Sequence, residues 1–226
     1  ERGRVIEKHI ASEGEMQTLV YDKKGRVILS STAALNNWRY NFYDGLDRVT
    51  VSGVFNDFVH DRAYWQGLID NANPASYTNT SSFEYIVLHD ADQNAQYNNT
   101  ITNCDPMVYT YYDAYNTYPI FSLTGSAYSQ SEFTGNTVST SYSLVPARSS
   151  KTKGFVTGKK YKVIKPAGLT LTNVQDWIYE LYYYDDNGKV IQTKQKNYKN
   201  GWNIVSNQYD FKGRILRTIH KNNNPS

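Results

Sequence analysis

Polar and apolar residues alternate one by one along several stretches of this chain. In "MQTLVYD", Met16, Thr18 and Val20 interleave with Gln17, Leu19 and Tyr21, and "NIVSNQYD" before Phe211 alternates in the same way. A period of two in runs rich in β-branched and aromatic residues predicts β-strands. These runs end in related phrases: "YDKKGRVI" at Tyr21–Ile28, "YDDNGKVI" from Tyr184 and "YDFKGRIL" from Tyr209. One segment keeps a different period. "NDFVHDRAYWQGLID", Asn56 to Asp70, sets Phe58, Arg62, Trp65 and Ile69 at helical spacing. It predicts a helix near 57–69 with Asn56 or Asp57 as its N-cap. After it, "NANPASYTNTSS" is a loop signal, "SFEYIVLHD" a strand, and "SAYSQSEFTGNTVSTSYSLV" polar strands and loops.

The phrases form a repeat. Tyr21-Asp22, Tyr43-Asp44, Tyr112-Asp113, Tyr184-Asp185 and Tyr209-Asp210 are separated by 22, 69, 72 and 25 residues, so the short steps define a unit of 22 to 25. Four residues after each Tyr stand Gly25, Asp47, Asn116, Gly188 and Gly213, types that tolerate a left-handed backbone. Arg26, Arg48, Lys189 and Arg214 follow in four of the five copies, with Thr117 the exception. "GRVI" at Gly3 to Ile6 lies 22 before its copy at Gly25 to Ile28, so the chain reads as a cut piece beginning just after a further YD.

Turn chemistry gives the phrase the shape of a β-hairpin. The Asp carboxylate accepts hydrogen bonds from N–H groups ahead of it, and Gly or Asn takes the positive φ that closes the turn. Gly25, Asn116, Gly188 and Gly213 are therefore expected at positive φ, and Tyr21, Tyr43, Tyr184 and Tyr209 more than half buried. Each Tyr is expected to face the Arg or Lys of the opposite strand, a pair worth roughly 0.2–1 kcal/mol. Isolated hairpins are marginal in water, so such units persist by pairing side by side.

The expected fold is mainly β: a curved antiparallel sheet built from YD hairpins, with one short helix in an insertion. Residues 1–55 and 151–226 carry repeat hairpins, 56–110 an insertion with the helix and strands, and 111–150 a degenerate repeat with polar strands. Together they are expected to form one continuous unit. Composition agrees: 226 residues are enough for a real core, and 21 tyrosines with a mean hydropathy of −0.65 suit two-faced sheets. No apolar run is long enough to span a membrane as a helix, so no membrane insertion is expected. The net charge of +3 hides three zones. Lys+Arg against Asp+Glu is 8 to 7 over 1–55, 2 to 9 over 56–150 and 14 to 5 over 151–226. The basic zone's lysines are scattered along strand-like segments and read as a solvated sheet face, so no nucleic-acid partner is expected.

Tyr-Asp-x-x-Gly-Arg-hydrophobic at intervals of about twenty residues resembles the YD repeat of Rhs-type proteins, whose relatives include insecticidal toxin complex subunits and teneurins. The segment "WIYELYYYDDNGKVIQTKQKNYKNGWNIVSNQYDFKGRILRTIHKN" from Trp177 to Asn222 is similar to large Rhs-like surface or secreted proteins of Bacteroidetes, as is "KTKGFVTGKKYKVI" from Lys151 to Ile164. The resemblance covers 1–55 and 151–226. It implies a β-sheet spiralling into a hollow shell that encloses or processes a C-terminal cargo, often a toxin, and a secreted or cell-surface location. The partners it implies are further repeats and a cargo domain of the same polypeptide. No core segment with self-cleavage aspartates is recognisable.

Candidates for catalysis have duller readings. His60-Asp61 and His89-Asp90 are neighbours in sequence, and neighbours on a strand or helix diverge. Asp90, Asp92 and Asn94 begin like a calcium loop, but Ala95 and Ile101 stand where such a loop needs Gly and Glu. Cys104 has no spaced partner for zinc or a disulfide. No metal, cofactor or enzyme activity is expected. Three readings remain: a structural segment of a repeat shell, which leads; a carbohydrate- or receptor-binding surface module using Trp38, Tyr40, Trp177 and Trp202; and an enzyme of unknown type. Terminal strands left without partners are expected to self-associate edge to edge.

Overall fold

The computed structural model describes residues 3–10, 15–32, 38–76, 82–83, 103–115, 118–133, 145–165, 176–197 and 199–223. Among the described residues the fold is mainly β, an open antiparallel sheet of eleven strands, with an α-helix packed beside it at Arg62–Asn71. The strands are β1 (Glu7–Ile10), β2 (Glu15–Tyr21), β3 (Val27–Thr32), β4 (Trp38–Tyr43), β5 (Val49–Phe55), β6 (Cys104–Tyr112), β7 (Val156–Lys162), β8 (Trp177–Tyr184), β9 (Val190–Lys196), β10 (Trp202–Tyr209) and β11 (Ile215–Asn223). They are neighbours in sequence order throughout. The chain divides into two compact units, residues 1–109 and 110–226.

Four of the five YD phrases, at Tyr21, Tyr43, Tyr184 and Tyr209, make the predicted turn. In the first, Asp22 N–H donates to Arg26 O and Gly25 N–H to Asp22 O. The carboxylate finishes it: Oδ1 accepts from Arg26 N–H (2.8 Å) and Oδ2 from Arg26 Nε (2.6 Å). Gly25, Gly188 and Gly213 have φ of 87°, 74° and 77° as expected, and Asp47 fills the same position at 61°. Asn116 lies outside the described residues. A bulge follows each turn: Tyr21 pairs with Val27 but Val20 with Leu29, and the same shift recurs at Phe42/Tyr43, Tyr183/Tyr184 and Gln208/Tyr209. Two residues oppose one there, which lets the consecutive Ile28 and Leu29, or Ile191 and Gln192, both be buried.

Burial by itself raises the Asp44 carboxyl, but hydrogen bonds from the Arg48 side chain and from the N–H groups of Arg48 and Leu46 outweigh it and hold the group below the usual carboxylate range. A depressed folded pKa contributes stability above the unfolded value, about 4, that is lost as pH falls through the folded one. Urea midpoints of the wild type are thus expected to fall below about pH 4, and Asp44→Asn to flatten part of that fall. Equal acid profiles would show that the turn carboxylate is not differentially bonded. At neutral pH, Asp44→Ala is expected to cost about 1 kcal/mol, read as a lower urea midpoint.

The tyrosines couple successive repeats, and this differs from the sequence expectation. Opposite Tyr21 stands Val27, not a cation. The cation comes from the preceding repeat: the Arg4 guanidinium lies 5.0 Å from the Tyr21 ring centroid and Arg26 4.7 Å from that of Tyr43. The arginine is held back by its own Asp in the turn, so it projects toward the next repeat. Each hydroxyl then donates to a carbonyl of the repeat before it: Tyr21 to Val5 (2.5 Å), Tyr43 to Val27 (2.7 Å), Tyr184 to Val156 (2.6 Å) and Tyr209 to Val190 (3.0 Å). Tyr21 and Tyr184 are buried and Tyr43 and Tyr209 largely so.

The third YD pair departs from the pattern. Asp113 itself adopts φ 70°, and its turn is closed by distant residues. Asp113 N–H donates to Phe155 O, and its Oδ1 accepts from Gly154 N–H (2.6 Å). "KGFV" at Lys153–Val156 therefore occupies the place of "KGRV" at Lys24–Val27, with Gly154 at φ 89° and Phe155 stacked on Tyr184 (4.8 Å, 22°) where an arginine or lysine stands elsewhere. The repeat is split by an insertion within its turn. A further turn of this design closes β9 to β10 with Asn in both roles: Asn197 Oδ1 accepts from Gly201 N–H, and Asn200 takes φ 65°.

Two excursions pack on the strands. The helix α1 (Arg62–Asn71) starts later than predicted and is capped by Asp61, which accepts from Tyr64 N–H, while Phe58 lies outside it and exposed. Asp57 is not the cap because its carboxylate is taken up by the preceding turn, by His60 and by Trp65 Nε1 (2.8 Å). Trp65, Gln66, Leu68 and Ile69 form the buried face. Gln66 bonds both backbone groups of Tyr21, accepting from its N–H (3.0 Å) and donating to its C=O (3.1 Å). In the second unit Tyr184 is served alike, its N–H by Tyr115 Oη (3.1 Å) and its C=O by Ser149 N–H (2.7 Å). Polar strands were expected across 126–145. Its described part holds one short 3₁₀ helix, Gln130–Phe133, and another, Pro119–Ser122, precedes it. The strand predicted from "SFEYIVLHD" lies mostly outside the described residues.

Candidate functional site

On the second unit, a cleft of about 1080 Å³ opens between the 118–133 segment and one face of β8, β9 and β10. Trp177 and Tyr179 come from alternate positions of β8, Lys194 and Lys196 from β9, and Trp202 and Ile204 from β10. Alternation puts them on one face, and the register sets Lys196 opposite Trp202 and Lys194 opposite Ile204. The repeat thus lays rows of side chains across adjacent strands, and the insertion supplies the second wall.

The insertion wall is tied down by side chains reaching up from the sheet to its backbone. Trp202 Nε1 donates to Thr124 O (2.8 Å), Lys194 Nζ to Gly125 O (3.0 Å) and to Ala127 O, and Tyr183 Oη to Ser126 O. Gln192 closes a two-way bond with Ser129, accepting from its N–H (3.1 Å) and donating to its C=O (3.0 Å). Gly125 is required there twice over: its φ is 77°, and a Cβ would stand 2.9 Å from the Trp202 ring. Burial pulls the Lys194 ammonium down from its ordinary value, and the Glu132 charge offsets part of that. Burial also pushes the Tyr128 phenol up to about 12, keeping it neutral.

The four aromatics singled out from the sequence separate. Trp177 and Trp202 line this cleft, Trp177 partly exposed with Lys160 Nζ 4.5 Å above its ring, and Trp202 buried with Lys196 Nζ 5.0 Å above its own. Trp38 and Tyr40 are 6% and 1% exposed in the first unit, where Tyr40 packs on Phe42 (4.8 Å), and present no face to a ligand. Sequence alone could not tell the two classes apart, because all four sit in the same strand pattern. The lysines of β9 were missed as site residues, although a lysine at alternate positions of a strand that also buries Ile191 is an available signal.

Near α1, the carboxylate partner of His60 is Asp57 (Nδ1 to Oδ2, 3.0 Å) rather than Asp61, which caps the helix. His89, Asp90, Asp92 and Asn94 lie outside the described residues. Among the described residues no group of three or more His, Cys, Asp or Glu could hold a metal ion, and no helix is long and apolar enough to cross a membrane. No family model matches the chain, and no curated protein matches it.

Proposed function

We propose that this chain is a structural, non-catalytic segment of a YD-repeat β-scaffold, which in its parent polypeptide encloses or displays a C-terminal cargo at the cell surface or outside the cell. The observation that supports it is the coupling of repeats through the tyrosine hydroxyls. Four of the five YD tyrosines bond a carbonyl of the strand pair before them, and each such bond adds about 1 kcal/mol of cohesion between units. A motif that serves chemistry is needed once, whereas a motif that joins each unit to the next must recur in each.

The scaffold reading predicts that Tyr184→Phe lowers the stability of the second unit by about 1 kcal/mol, seen as a lower urea midpoint with unchanged spectra. An unaltered midpoint would remove the coupling from the argument. The enclosure is tested on the full-length parent by limited proteolysis. Cleavage of the region C-terminal to the repeats is expected to accelerate when Asp44 and Asp185 are both replaced by Ala. Equal cleavage rates in the two proteins would overturn the enclosing role.

A further inference from the structure

We infer that the cleft between the 118–133 segment and β8–β10 is a binding site for an acidic saccharide chain, one bearing uronate carboxylates. The charges around the cleft point there. Its two acidic side chains are already paired with lysines: Glu132 with Lys221 (3.2 Å) and Asp176 with Lys165 (2.7 Å). Lys194 and Lys196 have no carboxylate within ion-pair distance among the described residues. Lys194 spends its donors on two backbone carbonyls, and Lys196 lies over the Trp202 ring. The Lys196 ammonium is partly stripped of water, which lowers its pKa, and a carboxylate delivered by a ligand would restore what burial removed.

The walls favour a sugar over other anions. A pyranose has a flat apolar face and a rim of hydroxyls. Trp177 and Tyr179, partly exposed on one face of β8, offer flat surfaces to the first. Asn223, which lines the cleft, offers an amide to the second. The volume, about 1080 Å³, lies at the upper end for ligand pockets and suits a short chain better than a single ion. The floor is rigid, because Trp202, Lys194 and Gln192 fix the insertion wall to the sheet. The site belongs to the second unit alone and is independent of any cargo.

The test is titration of the whole 226-residue chain with hexagalacturonate in 50 mM salt, followed by calorimetry and tryptophan fluorescence. Cellohexaose, of matched length and no charge, and hexaglutamate, of matched charge and no sugar ring, are the comparison probes. Hexagalacturonate is expected to bind, at least about tenfold tighter than either comparison probe. Lys196→Gln and Trp177→Ala are each expected to weaken binding by about tenfold, while Lys23→Gln on the first unit leaves it unchanged. Lys196→Arg, which keeps the charge, should retain most of the affinity. Circular dichroism of each variant establishes that it is folded. No binding by the wild type, equal binding of cellohexaose or hexaglutamate, or full affinity in folded Lys196→Gln would each overturn the proposal.

Discussion

Gly53→Ala is expected to destabilise the first unit by about 3 kcal/mol or more, lowering its melting temperature by more than 10 °C, roughly. A Cβ there would stand 2.3 Å from Asp105 O and 2.8 Å from Pro106 Cα on β6, and 2.7 Å from a carbon of the Tyr40 ring on β4. The ring could turn aside, but the two β6 atoms are backbone. Accommodation therefore requires β5 and β6 to separate where Gly53 pairs with Pro106 at a bulge. Pro106 gives no N–H to the ladder, so the close approach compensates for a bond that cannot form. Ser52→Ala, one residue away, is the control and is expected to shift the melt by a small fraction of that. A melt of Gly53→Ala equal to wild type would show that the strands do not approach so closely.

The second large effect is expected from Gln66→Met. Methionine keeps the length and most of the volume of the side chain, so packing of α1 is preserved. What is lost is the pair of hydrogen bonds to the N–H and C=O of Tyr21, both in a buried setting at the bulge, together with a bond from Gln66 Nε2 to Asp70 Oδ1 (3.2 Å) on the helix itself. Two orphaned backbone groups cost about 2–4 kcal/mol together. Hydrogen exchange at the Tyr21 amide gives a direct reading: its protection should fall far more than that of Val51 in the same unit. Protection that falls equally at both amides would mean that the substitution acts through helix packing.

Four of the YD turns were legible because each of them is decided within five residues. An Asp whose carboxylate closes the turn and a Gly that takes positive φ are local instructions, and three glycines obey them. The coupling between repeats was misread for a related reason. A cross-strand partner can be guessed from spacing, but the bulge shifts the register by one and the salt bridge of Arg26 to Asp22 turns the guanidinium away from its own hairpin. The split repeat was hidden by distance. "KGFV" is a recognisable ending only once Asp113 is seen to close on it. The helix came out five residues short at its start because Asp57 and Asp61 are equivalent caps on paper. Trp65 decides between them by taking Asp57 as its own acceptor. For the cleft, the aromatic half was visible and the basic half was not, since nothing in a strand pattern says which lysine will be covered.

The turn that closes Asp113 onto Gly154 bears on where this architecture can grow. An ordinary YD turn joins its Asp and Gly through two residues, whereas this one joins them through forty. By polymer statistics, widening a loop about twentyfold in length costs only about 3 kcal/mol of closure entropy. At the mouth the bond from the Asp N–H to the carbonyl of the residue after Gly is kept, and Gly154 N–H still donates to Asp113, now to its carboxylate. A YD turn is thus a permissive graft point. New sequence can enter between its Asp and its Gly without disturbing the strands on either side, whereas a single residue added to a strand would turn every following side chain to the other face. Lineages elaborating such an array would accumulate novelty at those points, and a designer wishing to display a foreign segment has Lys23 and Lys24, both exposed, as the place to cut.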